Sequence, residues 1–103
     1  MVFYSEQSRQ DLEDILYGLI TWDKHPLTYE HAHVYVSDIR AVCGVLDSIS
    51  YHSLALYETH LNFGRYVFAY KRNPRTTWYI IYDIDNQKNV YIQKIISNYL
   101  TVW

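Results

Sequence analysis

The chain has 103 residues, half of them hydrophobic, with twelve tyrosines, one cysteine and a formal net charge of −2. That length makes one domain spanning 1–103, which buries roughly two-thirds of its unfolded surface around a single core. The apolar content excludes a disordered chain, the acidic balance argues against a general nucleic-acid binder, and no apolar run approaches the roughly 20 residues of a membrane span. Cys43 has no partner for an internal disulfide and the N-terminus has no signal-peptide pattern, so a cytoplasmic location is expected. Tyrosine joins a large apolar ring to a polar tip, and its surplus points to a half-buried layer or a partner-binding surface.

Met1-Val2-Phe3-Tyr4 is a short apolar opening, long enough for a brief strand. Ser5 then has the character of a helix N-cap, with Glu6 in the first turn where the helix dipole favours an acid. Leu12, Ile15, Leu16, Leu19 and Ile20 recur at three- and four-residue spacing as one apolar stripe. Gln10, Glu13 and Asp14 take the other side. The helix should stop near Trp22, because "DKHP" follows and the residue before Pro26 resists helical geometry. Thr28 caps a second predicted helix, in which Ala32, Tyr35, Val36, Ile39, Val42, Cys43, Leu46 and Ile49 hold the period through six turns, with Gly44 inside. So short a link makes the two helices an antiparallel hairpin.

Residues 51 to 63, "YHSLALYETHLNF", lack a clean period and read as a loop with room for an extra turn or short strand. From Gly64 the period becomes two. Tyr66, Phe68 and Tyr70 share one strand face; Val67 and Ala69 share the other. After "RNPRT", Trp78, Ile80, Tyr82 and Ile84 alternate with Tyr79, Ile81 and Asp83. "DNQKN" turns the chain into a last strand from Val90 to Ile96, whose alternation slips at Gln93-Lys94, the mark of a bulge or exposed end. The fold class is therefore α+β: an N-terminal strand and a helical hairpin packed on a C-terminal antiparallel meander sheet. The hairpin covers one sheet face. The other has no helix left for it and yet carries large side chains; either it is an interaction site or the sheet curls and "NYLTVW" folds over part of it.

The histidines carry no metal-site pattern. His31 and His33 are two apart on a helix and point to nearly opposite sides. His25, His52 and His60 fall in predicted loops; His52 or His60 could act as a general base near neutral pH, but no partner constellation accompanies them. Cys43 sits on the apolar helix stripe as a structural thiol.

Two stretches carry a family resemblance. "YSEQSRQDLEDIL" (4–16) and "GRYVFAYKRNPRTTWYIIYDIDNQKNVYIQKI" (64–95) resemble the opening strand-to-helix phrase and the closing meander of the RelE/ParE superfamily of type II toxin–antitoxin toxins, the plasmid stabilisation family. "WYIIYDI" stands where that family has its apolar strand ending in Tyr. The likeness covers almost the whole chain. It implies a RelE/ParE-like fold and a toxin held inactive by a cognate antitoxin, whose C-terminal segment wraps the toxin across its helices and sheet. An uncovered aromatic surface would suit that partner, with Tyr66, Phe68, Tyr70, Tyr79 and Tyr91 as its candidate residues. No cofactor or metal is implied.

Within the resemblance two mechanisms separate. RelE-like members cut messenger RNA in the ribosome; ParE-like members poison DNA gyrase and need no active site. RNA cleavage by its own 2′-hydroxyl requires a base, an acid and cations for the phosphate. Where the family carries a mid-strand arginine this chain has Tyr79 before "IIY", and its last strand ends "KIISNYL", with Asn98 and Tyr99 in place of basic residues or His. The remaining cations are Arg65, Lys71, Arg72, Arg75 and Lys94. Arg65, Lys71, Arg72 and Arg75 are candidate catalytic or phosphate contacts; a solvated turn explains the cluster at the hairpin equally well. The leading expectation is a ParE-like toxin acting by protein–protein contact, with DNA gyrase as target. The alternatives are a ribosome-dependent endoribonuclease and a degenerate toxin that keeps only antitoxin binding. Tyr29, Val34 and Tyr35 leave bulk beside the helical core stripe for a homodimer.

Overall fold

The computed structural model describes residues 1–23 and 25–98. The expectations for Tyr99 and for the fold-back of "NYLTVW" beyond Asn98 lie outside the described residues. The elements run β1 (Val2–Tyr4), α1 (Glu6–Thr21), α2 (Tyr29–Gly44), β2 (Ser53–Leu54), α3 (Glu58–Leu61), β3 (Tyr66–Asn73), β4 (Thr76–Ile84) and β5 (Val90–Ser97). Among the described residues no helix is long and apolar enough to cross a membrane.

The caps are those the sequence points to. Ser5 Oγ accepts from the Ser8 N–H at 3.0 Å and Thr28 Oγ1 from the His31 N–H at 3.2 Å, each satisfying a donor left over at a helix start. Leu12 and Ile15 of α1 and Ala32, Val36, Ile39 and Cys43 of α2 are the buried apolar stripes. The second helix is shorter than its period suggests. Beyond Gly44 the N–H groups of Val45, Leu46 and Ser48 bond three residues back instead of four. The tightened turns still carry Leu46 into the core, fully buried, so its apolar spacing survives the end of the helix.

The sheet has five strands in the order β1-β5-β4-β3-β2. β3, β4 and β5 form the expected antiparallel meander, but the whole sheet is mixed, because β1 runs parallel to β5 with Val2 opposite Val90. The slip at Gln93-Lys94 is a bulge: Ile92 faces Tyr82 and Lys94 faces Ile81, leaving Gln93 unmatched. Asn73 Oδ1 accepts from the N–H groups of Arg75 and Thr76, both at 3.0 Å, and closes the first hairpin. In the second turn Asp85 Oδ1 accepts from Gln87 and Asn89 N–H, both at 2.9 Å; Lys88 there takes a φ of 65°.

Ile80, Tyr82, Ile92 and Ile95 pack on the helices and are essentially solvent-free. The opposite face departs from expectation, because residues 55–64 fold back on part of it. Ala55 and His60 are buried there, the His60 ring lies 4.8 Å from that of Tyr79, and Ile81 is fully covered. Gly64 permits this approach: a Cβ on it would lie 3.0 Å from Ile81 Cγ2 and 3.1 Å from the Tyr82 carbonyl oxygen.

Candidate functional site

The side chains singled out from sequence divide between the two sheet faces. Tyr66, Phe68 and Tyr70 sit opposite Tyr82, Ile80 and Trp78 in the β3–β4 register, and so on the helix side, where they pack half-buried against the core. Tyr79 and Tyr91 lie on the other face. Tyr79 is under His60, while Tyr91 stacks on Phe3 with centroids 5.3 Å apart and donates its hydroxyl to Asp85 Oδ2 at 3.0 Å. The five aromatics therefore do not make one surface.

On the helix side the polar tips are tied together. Trp78 Nε1–H donates to the Tyr35 hydroxyl at 2.8 Å, across from α2 to β4. The Arg72 guanidinium lies 4.4 Å over the Tyr35 ring and pairs with Asp38 of α2. Tyr35 is thus a fixture of the fold, while Tyr29 and Val34 of α2 remain exposed. Further along the sheet, burial pushes the Tyr82 phenol up to about 12, and its hydroxyl shares a hydrogen bond with His52 Nδ1 at 2.8 Å. His52, read from sequence as partnerless, is thus oriented by a buried phenol.

The cationic candidates do not converge. Arg65 and Arg72 are seven residues apart along an extended strand, about 23 Å at 3.3 Å per residue, so Arg65 shares no site with the hairpin cations. The Arg65 N–H donates to Asp83 Oδ1 at 2.9 Å, beside an acid rather than a phosphate cradle. Arg72 is engaged by Asp38, Lys71 alternates to the opposite face of β3, and Arg75 stands exposed in the turn. Lys94 sits 2.8 Å from Asp11 Oδ1. Among the described residues no group of three His, Cys, Asp or Glu side chains gathers to hold a metal ion. Cys43 is fully buried, and burial pushes its thiol up to about 12.

The most conspicuous open surface lies in the stretch that showed no period. Leu54, Leu56, Tyr57 and Leu61 are each more than half exposed, Leu56 at 81%. Leu54, Leu56 and Tyr57 rim a hollow of about 160 Å³ whose wall includes His60, Val67, Ala69 and Tyr79. Nδ1 of His60 is buried with no hydrogen-bond partner, and burial lowers the ring's pKa, so the imidazole stays neutral over Tyr79. The signal in the sequence was there: bulky apolar residues in a segment with neither helical nor strand period have no face of their own to bury. None of the protein-family models, curated proteins or solved structures compared with this chain matches it. The functional reading therefore rests on this surface and on the likeness of the two sequence stretches.

Proposed function

We propose that this chain is a protein-binding domain, and specifically a ParE-like toxin of a type II toxin–antitoxin pair that acts by protein–protein contact in the cytoplasm and is neutralised by a cognate antitoxin. The observation that carries the binding role is the apolar strip of Leu54, Leu56 and Tyr57, left in water at the rim of a hollow. Such a patch costs solubility unless a partner covers it. The toxin assignment comes from the resemblance of residues 4–16 and 64–95, with DNA gyrase as the proposed target. The separation of Arg65 from the hairpin cations, and the engagement of Arg72 by Asp38, favour contact over RNA cleavage.

The test is inducible expression in a bacterial host, with and without the product of the neighbouring small gene, following messenger RNA integrity and DNA breakage together. Filamentation and DNA breaks with intact messenger RNA, relieved by the neighbour, are expected. Rapid messenger RNA cleavage, lost on replacing Arg65, Lys71, Arg72 and Arg75, would instead establish the endoribonuclease. Stable binding to the neighbour without toxicity would leave a toxin fold reduced to its antitoxin-binding surface. A chain that is neither toxic nor bound by the neighbour overturns the proposal.

A further inference from the structure

The outer side of β3 is paired only where it begins. β2 lies opposite Tyr66 and Val67 and ends there, and β2 is the last strand of the sheet on that side. The Ala55 N–H donates to the Arg65 carbonyl at 2.8 Å, so the Arg65 carbonyl points toward β2 while its N–H turns to Asp83. With a two-residue period, Val67, Ala69 and Lys71 point their N–H and C=O groups the same way. Val67 meets Ser53. Beyond it, among the described residues, no strand stands opposite Ala69 and Lys71, and both are exposed. Natural sheets shield such an edge or use it; here the β3–β4 register shifts only between Lys71 and Asn73, past the open positions, and α3 stands across the hollow from Ala69 without pairing with it.

Three features next to the edge define what fits. The hollow of about 160 Å³ is walled by Ala69 and Val67 from β3, by Leu54 and by His60; an apolar space of about 150 Å³ holds a benzene-sized group. The cations Lys71 and Arg75 stand at the far end of the edge, exposed and with no ion pair among the described residues. A second copy of this chain is a poor occupant in the register centred on Lys71, since antiparallel self-pairing there sets the two Lys71 side chains directly against each other.

We infer that the open edge of β3 at Ala69 and Lys71 accepts an added strand from a partner protein. That strand is an extended segment placing one aliphatic or aromatic side chain in the His60 hollow and a carboxylate beside Lys71 and Arg75. Main-chain bonds supply the attachment, and the two side-chain positions supply the selectivity. The inference rests on the protein-binding reading of the apolar strip and gives that reading its geometry.

The experiment selects displayed random twelve-residue peptides on the full chain, then measures amide hydrogen exchange residue by residue with a selected peptide bound. Enriched peptides should pair an apolar residue with an acid a few residues away, and should slow exchange at Ala69 and Lys71. Lys71→Glu should weaken an acid-bearing peptide several-fold and leave its glutamine analogue unchanged. Because Ala69→Pro could disturb β3 itself, it is scored only alongside Lys71→Glu, which keeps the main chain intact. Peptides that cover the strip while Ala69 and Lys71 exchange at their free rate overturn strand addition and leave the binding role standing. Failure to enrich any peptide overturns both.

Discussion

The Tyr35 hydroxyl accepts the indole N–H of Trp78 at 2.8 Å while the face of its ring carries the Arg72 guanidinium. One α2 side chain thereby fixes a β4 aromatic and a β3 cation. Tyr35→Phe keeps the ring and removes the acceptor from Trp78, which is only 6% exposed. The expected loss is about 1–3 kcal/mol, the cost of a buried donor left without a partner. Urea unfolding should show it as a lower midpoint at unchanged slope.

Asp11 tests how the exposed side of β5 is closed. β1 ends opposite Ile92, and past it the Ile95 N–H donates to Asp11 Oδ2 at 3.0 Å, while Lys94 Nζ and Gln7 Nε2 reach Oδ1 at 2.8 and 3.0 Å. Asp11→Ala leaves a half-buried cation and a buried N–H, for an expected loss of about 3–5 kcal/mol. Asp11→Asn keeps an acceptor for Ile95 and should lose less. Adding Lys94→Met to Asp11→Ala should recover part of the loss in chemical denaturation, because the stranded charge is gone.

His60 should make stability depend on pH. Burial lowers its folded pKa below the ordinary 6.5. As pH falls through that value the unfolded chain takes up the proton and the folded chain resists it, so stability is full above about 6.5 and declines below until the folded pKa is reached. His60→Phe should flatten this limb. Asp85 contributes in a separate window: the Asn89 N–H and its neighbours hold its carboxyl below 3.8, so its share is full above about 3.8 and is lost as the pH falls from there toward the folded value. Thermal melts from pH 8 to 3 on both chains would resolve the two.

Gly64→Ala brings a methyl to 3.0 Å from Ile81 Cγ2 and 3.1 Å from a Tyr82 carbonyl that cannot move without disturbing β4. Overpacking of this kind costs about 1–3 kcal/mol, and each kcal/mol lowers Tm by about 4–8 °C in a domain of this size. Calorimetry would read it directly.

The Cys43 thiol, fully buried and raised to about 12, should react with an alkylating reagent only when the core opens. Its modification rate should follow unfolding across a denaturant series. A fast reaction in native buffer would contradict that burial.

Much of this architecture was legible beforehand because it obeys local rules. Ser5 and Thr28 are capping residues, Leu12 and Ile15 keep a helical period, and the bulge at Gln93-Lys94 shows as a break in alternation. The hidden parts depend on contacts distant in sequence. Nothing near Asp11 announces that its carboxylate will cap Ile95, and nothing near Tyr35 announces Trp78. Alternation separated the aromatic residues within each strand, but how faces match between strands, which face the helices take, and whether residues 55–64 return to cover the other, is decided by packing. The cations show the same limit: Lys71 and Arg72 are neighbours in sequence, and strand alternation puts them on opposite sides.

The parallel pairing of β1 with β5 has a consequence in time. Val2 meets Val90, 88 positions later, and α1 makes its main sheet contacts with β5. During synthesis at about 5–20 residues per second, the apolar stripe of α1 waits several seconds for the strand it covers. Local hairpins cannot shorten that wait, because the closing contact is among the most distant the chain possesses. A growing chain of this topology therefore passes through an interval in which Leu12 and Ile15 are sticky and unshielded. Folding inside the cell should then respond to chaperone supply and translation speed more than its small size would suggest.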